Sequence, residues 1–287
     1  MNRTSLCPAH ATGRMAAAAA LILLLTSCTP ASTQGPQPVT APNQPFAHIH
    51  GMAVDSDTGE VMLATHDGLF GLDSGTPEKI GPTIDLMGFA AAGNDHYYAS
   101  GHPAPETGLP EPAGLLRTQD GGDTWQQLSL GGLSDFHALA MTRSGIIGFD
   151  GTLKSTTDLE TWTTRDGGFA PYHLSGTPTS DVVLATTEAG VHRSTDGGKT
   201  WTAPSGGPVL LLTAFATAST VVGIAPDGTV HLSSDAGRTW RAAGAVAGHP
   251  SALAAAGPDE RPQIWVATPT GIERSTDGGQ TFSTDAK

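Results

Sequence analysis

An eight-residue phrase recurs along this 287-residue chain and constrains its fold more than any other feature. It reads Thr118-Gln119-Asp120-Gly121-Gly122-Asp123-Thr124-Trp125, then Ser194-Thr195-Asp196-Gly197-Gly198-Lys199-Thr200-Trp201. Two further copies are Ser233-Ser234-Asp235-Ala236-Gly237-Arg238-Thr239-Trp240 and Ser275-Thr276-Asp277-Gly278-Gly279-Gln280-Thr281-Phe282. A degenerate copy, Ser155 to Trp162, lacks the Asp and the Gly when aligned on its tryptophan. The third position then falls at 120, 157, 196, 235 and 277, with spacings of 37, 39, 39 and 42. A period near 40 residues is that of one four-stranded propeller blade. A sixth unit lies upstream without the phrase: Val61-Met62-Leu63-Ala64-Thr65-His66-Asp67-Gly68-Leu69-Phe70 parallels the runs from Val182 to Val191 and from Ile264 to Ile272.

The pattern S/T-x-D-x-G-x-T-W/F resembles the Asp-box, or BNR repeat, of sialidase-like β-propellers, proteins often labelled glycosyl hydrolase or exo-sialidase. The resemblance implies an all-β fold: a single six-bladed β-propeller of sialidase type over residues 46–287, with four-stranded antiparallel blades. In it each box is a tight turn between the third and fourth strands. The Asp carboxylate accepts bonds from turn N–H groups, glycine permits a positive φ, and the aromatic packs between sheets. Asp120, Trp125, Asp196, Trp201, Asp235, Trp240, Asp277 and Phe282 are therefore expected to be structural. Arg117, Arg193 and Arg274, each just before a box, are expected on the surface of third strands.

Residues 1–28 read as a lipoprotein signal peptide. Arg3 and Arg14 are basic, Ala16 to Leu25 is apolar and too short to span a bilayer unaided, and Leu25-Thr26-Ser27-Cys28 resembles a lipobox. Cys28 is the expected lipid attachment residue. Residues 29–45 (TPASTQGPQPVTAPNQP) form an expected Pro-rich tether. The expected location is extracytoplasmic, anchored to the cell membrane. The only other cysteine, Cys7, lies in the leader, so the mature domain has no disulfide.

Composition narrows function. Charged residues are 14% of the chain, against about 25% for ordinary domains. Losing Arg3 and Arg14 takes Lys+Arg from 14 to 12 and the net charge from −13 to −15. So acidic a domain is a poor ligand for nucleic acid. The expected partners are the membrane, through lipid on Cys28, and a protein or glycan; the expected state is a monomer.

In such a propeller the boxes and the turns between first and second strands share one face. The 2–3 loops and the links into each first strand share the other, and by resemblance that second face carries the ligand site. His48, His50, His66, His102, His137, His173 and His249 fall on it, seven of the ten histidines outside the leader. Asp67, Asp85, Glu106, Asp135, Asp150 and Glu188 join them, with Met52 and Met87 close by. Two residues apart on a strand, His48 and His50 point to the same side. His48, His50, His66, His102 and His137 are the candidate ligands of a transition metal, Cu or Zn, since imidazole suits both. A metal-free polar pocket and a face without a small ligand are the alternatives.

A sialidase reading meets an obstacle. Sialidases grip the substrate carboxylate with an arginine triad whose first member precedes the first box, and here no Arg outside the leader precedes Arg117. The nucleophile would be a Tyr paired with Glu, and Tyr97, Tyr98 and Tyr172 show no such partner. A glycoside hydrolase of another kind needs two carboxylates roughly 5–10 Å apart, for which Asp67 and Asp135 are the candidates. No G-x-S-x-G elbow, free domain cysteine, phosphate loop or dinucleotide fingerprint is present. A binding or scaffold module is the preferred reading, with a hydrolase and an assembly or interaction propeller as alternatives.

Overall fold

The computed structural model describes residues 48–55, 58–73 and 76–284. The expected leader with Cys28, the tether, and a contribution of Val39 to Phe46 to an outer strand all lie outside these residues. The described chain forms six antiparallel sheets, each built from consecutive strands in sequence order. Among the described residues the helical content is one 3₁₀ turn, Pro105–Thr107. The sheets are the blades of a propeller, and their innermost strands pack side by side in ring order.

Blade 1 comprises Ile49–Val54, Val61–Thr65, Gly68–Asp73 and Thr76–Ile80, and blade 2 comprises Ile84–Gly93, His96–Pro103, Leu115–Thr118 and Gln126–Ser129. Blade 3 follows with Ala138–Thr142, Gly145–Phe149, Leu153–Thr156 and Thr163–Thr164. Blade 4 has His173–Ser175, Val183–Thr187 and Gly190–Ser194, and its outer edge is reduced to one bridge between Arg193 and Thr202. There the expected fourth strand does not develop, because Pro204 removes a ladder donor and Gly206 and Gly207 at positive φ turn the chain away. Blade 5 is Leu212–Phe215, Val221–Ile224, Thr229–Ser233 and Arg241–Ala245. Blade 6 is Ala252–Ala256, Gln263–Thr268, Gly271–Ser275 and Ser283–Thr284.

Second strands are buried along most of their length, and throughout in Val61–Thr65 and Val221–Ile224, because each is covered on both faces by neighbouring blades. This is why they read as unbroken apolar runs rather than alternating ones. The cores lie between blades. Val61, Leu63 and Phe70 of blade 1 pack with Trp265 and Ile272 of blade 6, closing the ring by side chains alone among the described residues.

The box turns repeat one geometry. In blade 4 the Ser194 hydroxyl donates to Asp196 Oδ1 at 2.8 Å and accepts from Gly198 N–H at 2.9 Å, while Thr200 N–H and Oγ1–H donate to the two Asp196 oxygens at 2.9 and 2.7 Å. Asp120, Asp235 and Asp277 repeat it. The degenerate copy keeps its aspartate after all. Thr156 Oγ1 donates to Asp158 Oδ1 at 3.0 Å, Thr161 N–H reaches the same oxygen at 2.7 Å, and Leu159 adopts φ +67° where three boxes have glycine and the blade 5 box has Ala236 at φ +57°. Alignment on Trp162 had displaced the turn by one residue because this box is one residue shorter.

Box backbone also meets the 1–2 turn of its own blade: Gly121 N–H donates to Asp95 O at 3.0 Å, Gly197 to Asp181 O at 3.0 Å, and Ala236 to Ser219 O at 2.8 Å. Boxes and 1–2 turns thus share one face, as expected. The box aromatics reach backwards: Trp125, Trp201 and Phe282 pack into the cores shared with the preceding blade. The three arginines before the boxes are half-buried rather than on the surface. Arg193 Nε donates to Ala236 O of the next blade at 2.7 Å, and Arg274 Nη2 to Gln263 Oε1 at 2.6 Å.

The second box glycine is a docking point. Gly198 has φ +82°, and a Cβ there would run into Ile147 Cδ1 of blade 3, itself fully buried. Gly198→Ala should therefore cost about 2–4 kcal/mol in denaturant unfolding, from left-handed strain plus overpacking. Gly206→Ala, with φ +101° and nothing within 4 Å, should cost only the strain, about 1–2 kcal/mol.

The box carboxylates also set an acid limit. Bonds from Thr118 and Thr124 hold Asp120 at about 2, and the Thr161 N–H bond holds Asp158 there. For Asp196 and Asp235 burial pulls upward but is outweighed by the bonds from Thr200 and Thr239, leaving both at about 2. Folded values below the ordinary 3.8 mean stability that is complete above about pH 4 and is lost as pH falls toward 2. Urea midpoints measured at pH 7, 4 and 2.5 should be flat between the first two and drop at the third, and Asp235→Asn should shrink that drop.

Candidate metal centre

The face opposite the boxes carries the polar clusters, and two of them lie beside the central channel. The innermost strand of blade 1 has an irregularity at its start: Ile49 pairs with Thr65 and Gly51 with Ala64, so His50 is an extra residue. A bulge of this kind re-aims a side chain. His50 then turns toward the 2–3 turn of its own blade and the start of blade 2. Its ring lies 4.3 Å from that of His66, edge to face, and its Nε2 is 3.7 Å from Asp85 Oδ1. His66 Nδ1 pairs with Asp85 Oδ2 at 2.7 Å.

His50, His66 and Asp85 thus place one donor atom each within 4.8 Å of one another. Two of their atoms, His50 Nε2 and Asp85 Oδ1, are buried and have no hydrogen-bond partner. A buried polar atom without a partner is costly, and these two stand 3.7 Å apart, too far for a hydrogen bond between them. Burial first, then the His66 imidazole, lower His50 to about 4 against the pull of Asp85, so its ring is neutral at neutral pH and keeps a lone pair. His48 stands just outside, exposed, its ring 5.2 Å from His66.

The other two candidate histidines form a separate cluster between blades 2 and 3. Asp135 Oδ2 takes His137 Nε2 at 2.7 Å and His102 Nε2 at 3.2 Å, and His102 Nδ1 pairs with Glu111. The Glu111 bond, against some burial, raises His102 above its ordinary value. Glu111 escaped the sequence reading because it sits mid-way in a long 2–3 loop with no spacing signal. The two hydrolase candidates stand apart in setting: Asp67 is at the exposed tip of the blade 1 2–3 turn, while Asp135 is held between two imidazoles. Of the remaining face residues, Asp150 pairs with Lys154 and Ser134, Glu106 and His249 are exposed, and His173 lines the channel.

Residues 192–203, the third box and its flank, match the family model of the BNR/Asp-box repeat. The chain is a six-bladed β-propeller that carries a BNR/Asp-box repeat. No curated protein matches it by sequence. Among solved structures, the propeller is similar to the GH74 xyloglucanase from Xanthomonas campestris, with a TM-score of 0.58 and 15% identity over 83% of this chain. It spans only 38% of that enzyme's length. It is also similar to YCF48 bound to D1 peptide (TM-score 0.55, 16% identity, 85% of this chain and 98% of that one). A third likeness is to virginiamycin B lyase from Staphylococcus aureus (TM-score 0.53, 16% identity, 82% and 83%). At these identities the likeness is one of fold, and fold does not carry function.

Proposed function

We propose that this propeller is a membrane-anchored, extracytoplasmic binding module that holds a divalent transition metal, zinc or copper, at His50, His66 and Asp85. The observation that carries the reading is the pair of buried, unpartnered atoms His50 Nε2 and Asp85 Oδ1 inside a three-donor cluster. Two imidazoles and a carboxylate suit these metals. The net charge of −13 favours cation approach. Cys28 supplies the lipid anchor in this reading. His102, His137, Asp135 and Glu111 pair with one another and border the site without sharing its donors.

The full-length protein, untagged and in detergent, should retain about one equivalent of zinc or copper by mass spectrometry after loading and chelator-free desalting. A His50→Ala/His66→Ala/Asp85→Asn variant should retain none, and should lose the metal-induced rise in melting temperature, about 3 kcal/mol of stabilisation at 100 times Kd. Parent protein that comes through loading empty, or a variant that holds as much as the parent, sinks the reading.

A protein partner is the second reading, supported by Leu133, Tyr172 and Val209, which are 79%, 64% and 47% exposed in the links into blades 3, 4 and 5 on this same face. Exposed large apolar side chains grouped on one face are features of interaction surfaces. A Leu133→Ser/Tyr172→Ser/Val209→Ser variant separates the two readings: its metal content should equal the parent's, and any partner cross-linked to the parent should be missing.

A further inference from the structure

The channel below the mouth holds a donor set of different character. Its cavity, about 50 Å3, is enough for a few waters or one ion, since a single water needs about 10–15 Å3. Four consecutive blades each contribute a nitrogen or sulfur side chain to its lining: His50 from blade 1, Met87 from blade 2, His137 from the link into blade 3, and His173 from blade 4. Met52 of blade 1 adds a second thioether. Blades 5 and 6 offer only Leu212, Ala252 and Leu253.

Two features mark this arc as more than chance lining. Met87 is the extra residue of an irregularity where Leu86 pairs with Gly101 and Gly88 with Ser100, the same device that displaces His50 in blade 1. Two neighbouring inner strands thus break their ladders at residues that line the channel. The second feature is His173. Its Nδ1 is buried and finds no hydrogen-bond partner. Neither feature is needed to build a blade.

We propose that this channel is a second metal site, distinct from the mouth cluster and selective for a soft monovalent cation of the Cu(I) class, with Met52, Met87 and His173 as its principal donors. Thioethers select Cu(I) over zinc, whereas the carboxylate of the mouth cluster favours divalent ions. The apolar half of the channel provides a low-dielectric wall that suits a cation of single charge and few ligands. His50, on the rim shared by both clusters, places the two sites in line. The inference deepens the metal-binding reading by assigning a second ion class to the same face, and it stands or falls separately from the mouth site.

The test uses Ag(I), a redox-inert stand-in for Cu(I), and Zn(II), each loaded onto the full-length protein in detergent, with metal counted by mass spectrometry after desalting. Parent protein should hold about one equivalent of each. Met52→Leu/Met87→Leu conserves volume and should preserve the melt; it should keep zinc and bind Ag(I) at least tenfold more weakly. His66→Ala/Asp85→Asn should lose zinc and keep Ag(I). X-ray absorption of Cu(I)-loaded parent should show a sulfur scatterer that is missing from the Met→Leu variant. Ag(I) binding unchanged in the Met→Leu variant overturns the proposal, as does loss of Ag(I) in the mouth variant. Parent that holds Ag(I) but no zinc would remove the mouth site and leave the channel site standing.

Discussion

The structure depends on how each blade grips the one before it. The box turn is the grip: an aspartate pins the turn by accepting N–H and O–H bonds, and the second glycine brings bare backbone against a buried aliphatic side chain of the preceding sheet. Gly122 meets Leu69, Gly198 meets Ile147 and Gly237 meets Leu184, so the same close approach recurs around the ring. The aromatic that follows fills the space beside it. Nothing in this machinery faces the channel, which is why the motif is informative about architecture and silent about chemistry.

The clustered histidines and carboxylates sit on the other face, away from the boxes. There the 2–3 turns and the links into first strands bring donors from separate blades to the channel mouth. His50 and Asp85 come from adjacent inner strands and His66 from a turn between them. Bulges at His50 and Met87 sacrifice ladder regularity close to these donors. Among the described residues, four buried side-chain atoms without partners lie on this face, at His50, Asp85, Asp135 and His173, and three more lie at Arg117, Trp201 and Arg274 beside the boxes.

Much of this was legible in the sequence. The 40-residue period specified blades, the box specified the 3–4 turn, and topology then sorted the histidines by face. What escaped was anything that depends on local register. Period-two alternation treats His48 and His50 alike, yet the bulge half-buries His50 beside Asp85 and leaves His48 exposed. Alignment on Trp162 hid Asp158, since a turn shortened by one residue keeps its hydrogen bonds while shifting its aromatic. Five candidate histidines read as one set in sequence; in space a two-cluster arrangement emerges because Asp135 and Glu111 claim His102 and His137. Pairings of that kind are decided by side-chain reach across blades, about which spacing says nothing.

The way the ring closes has a mechanical consequence. Five of the six seams between blades are crossed by described backbone, and among the described residues the seam between blades 6 and 1 is bridged by apolar side chains, Trp265 and Ile272 against Val61, Leu63 and Phe70. Apolar packing is non-directional, so it fixes the spacing of those two blades more firmly than their register. Blade 1, on one side of that seam, carries His50 and Met52, while blade 6, on the other, lines the channel with alanine and leucine. The polar and apolar arcs of the channel lining therefore meet at the seam that, among the described residues, side-chain packing holds.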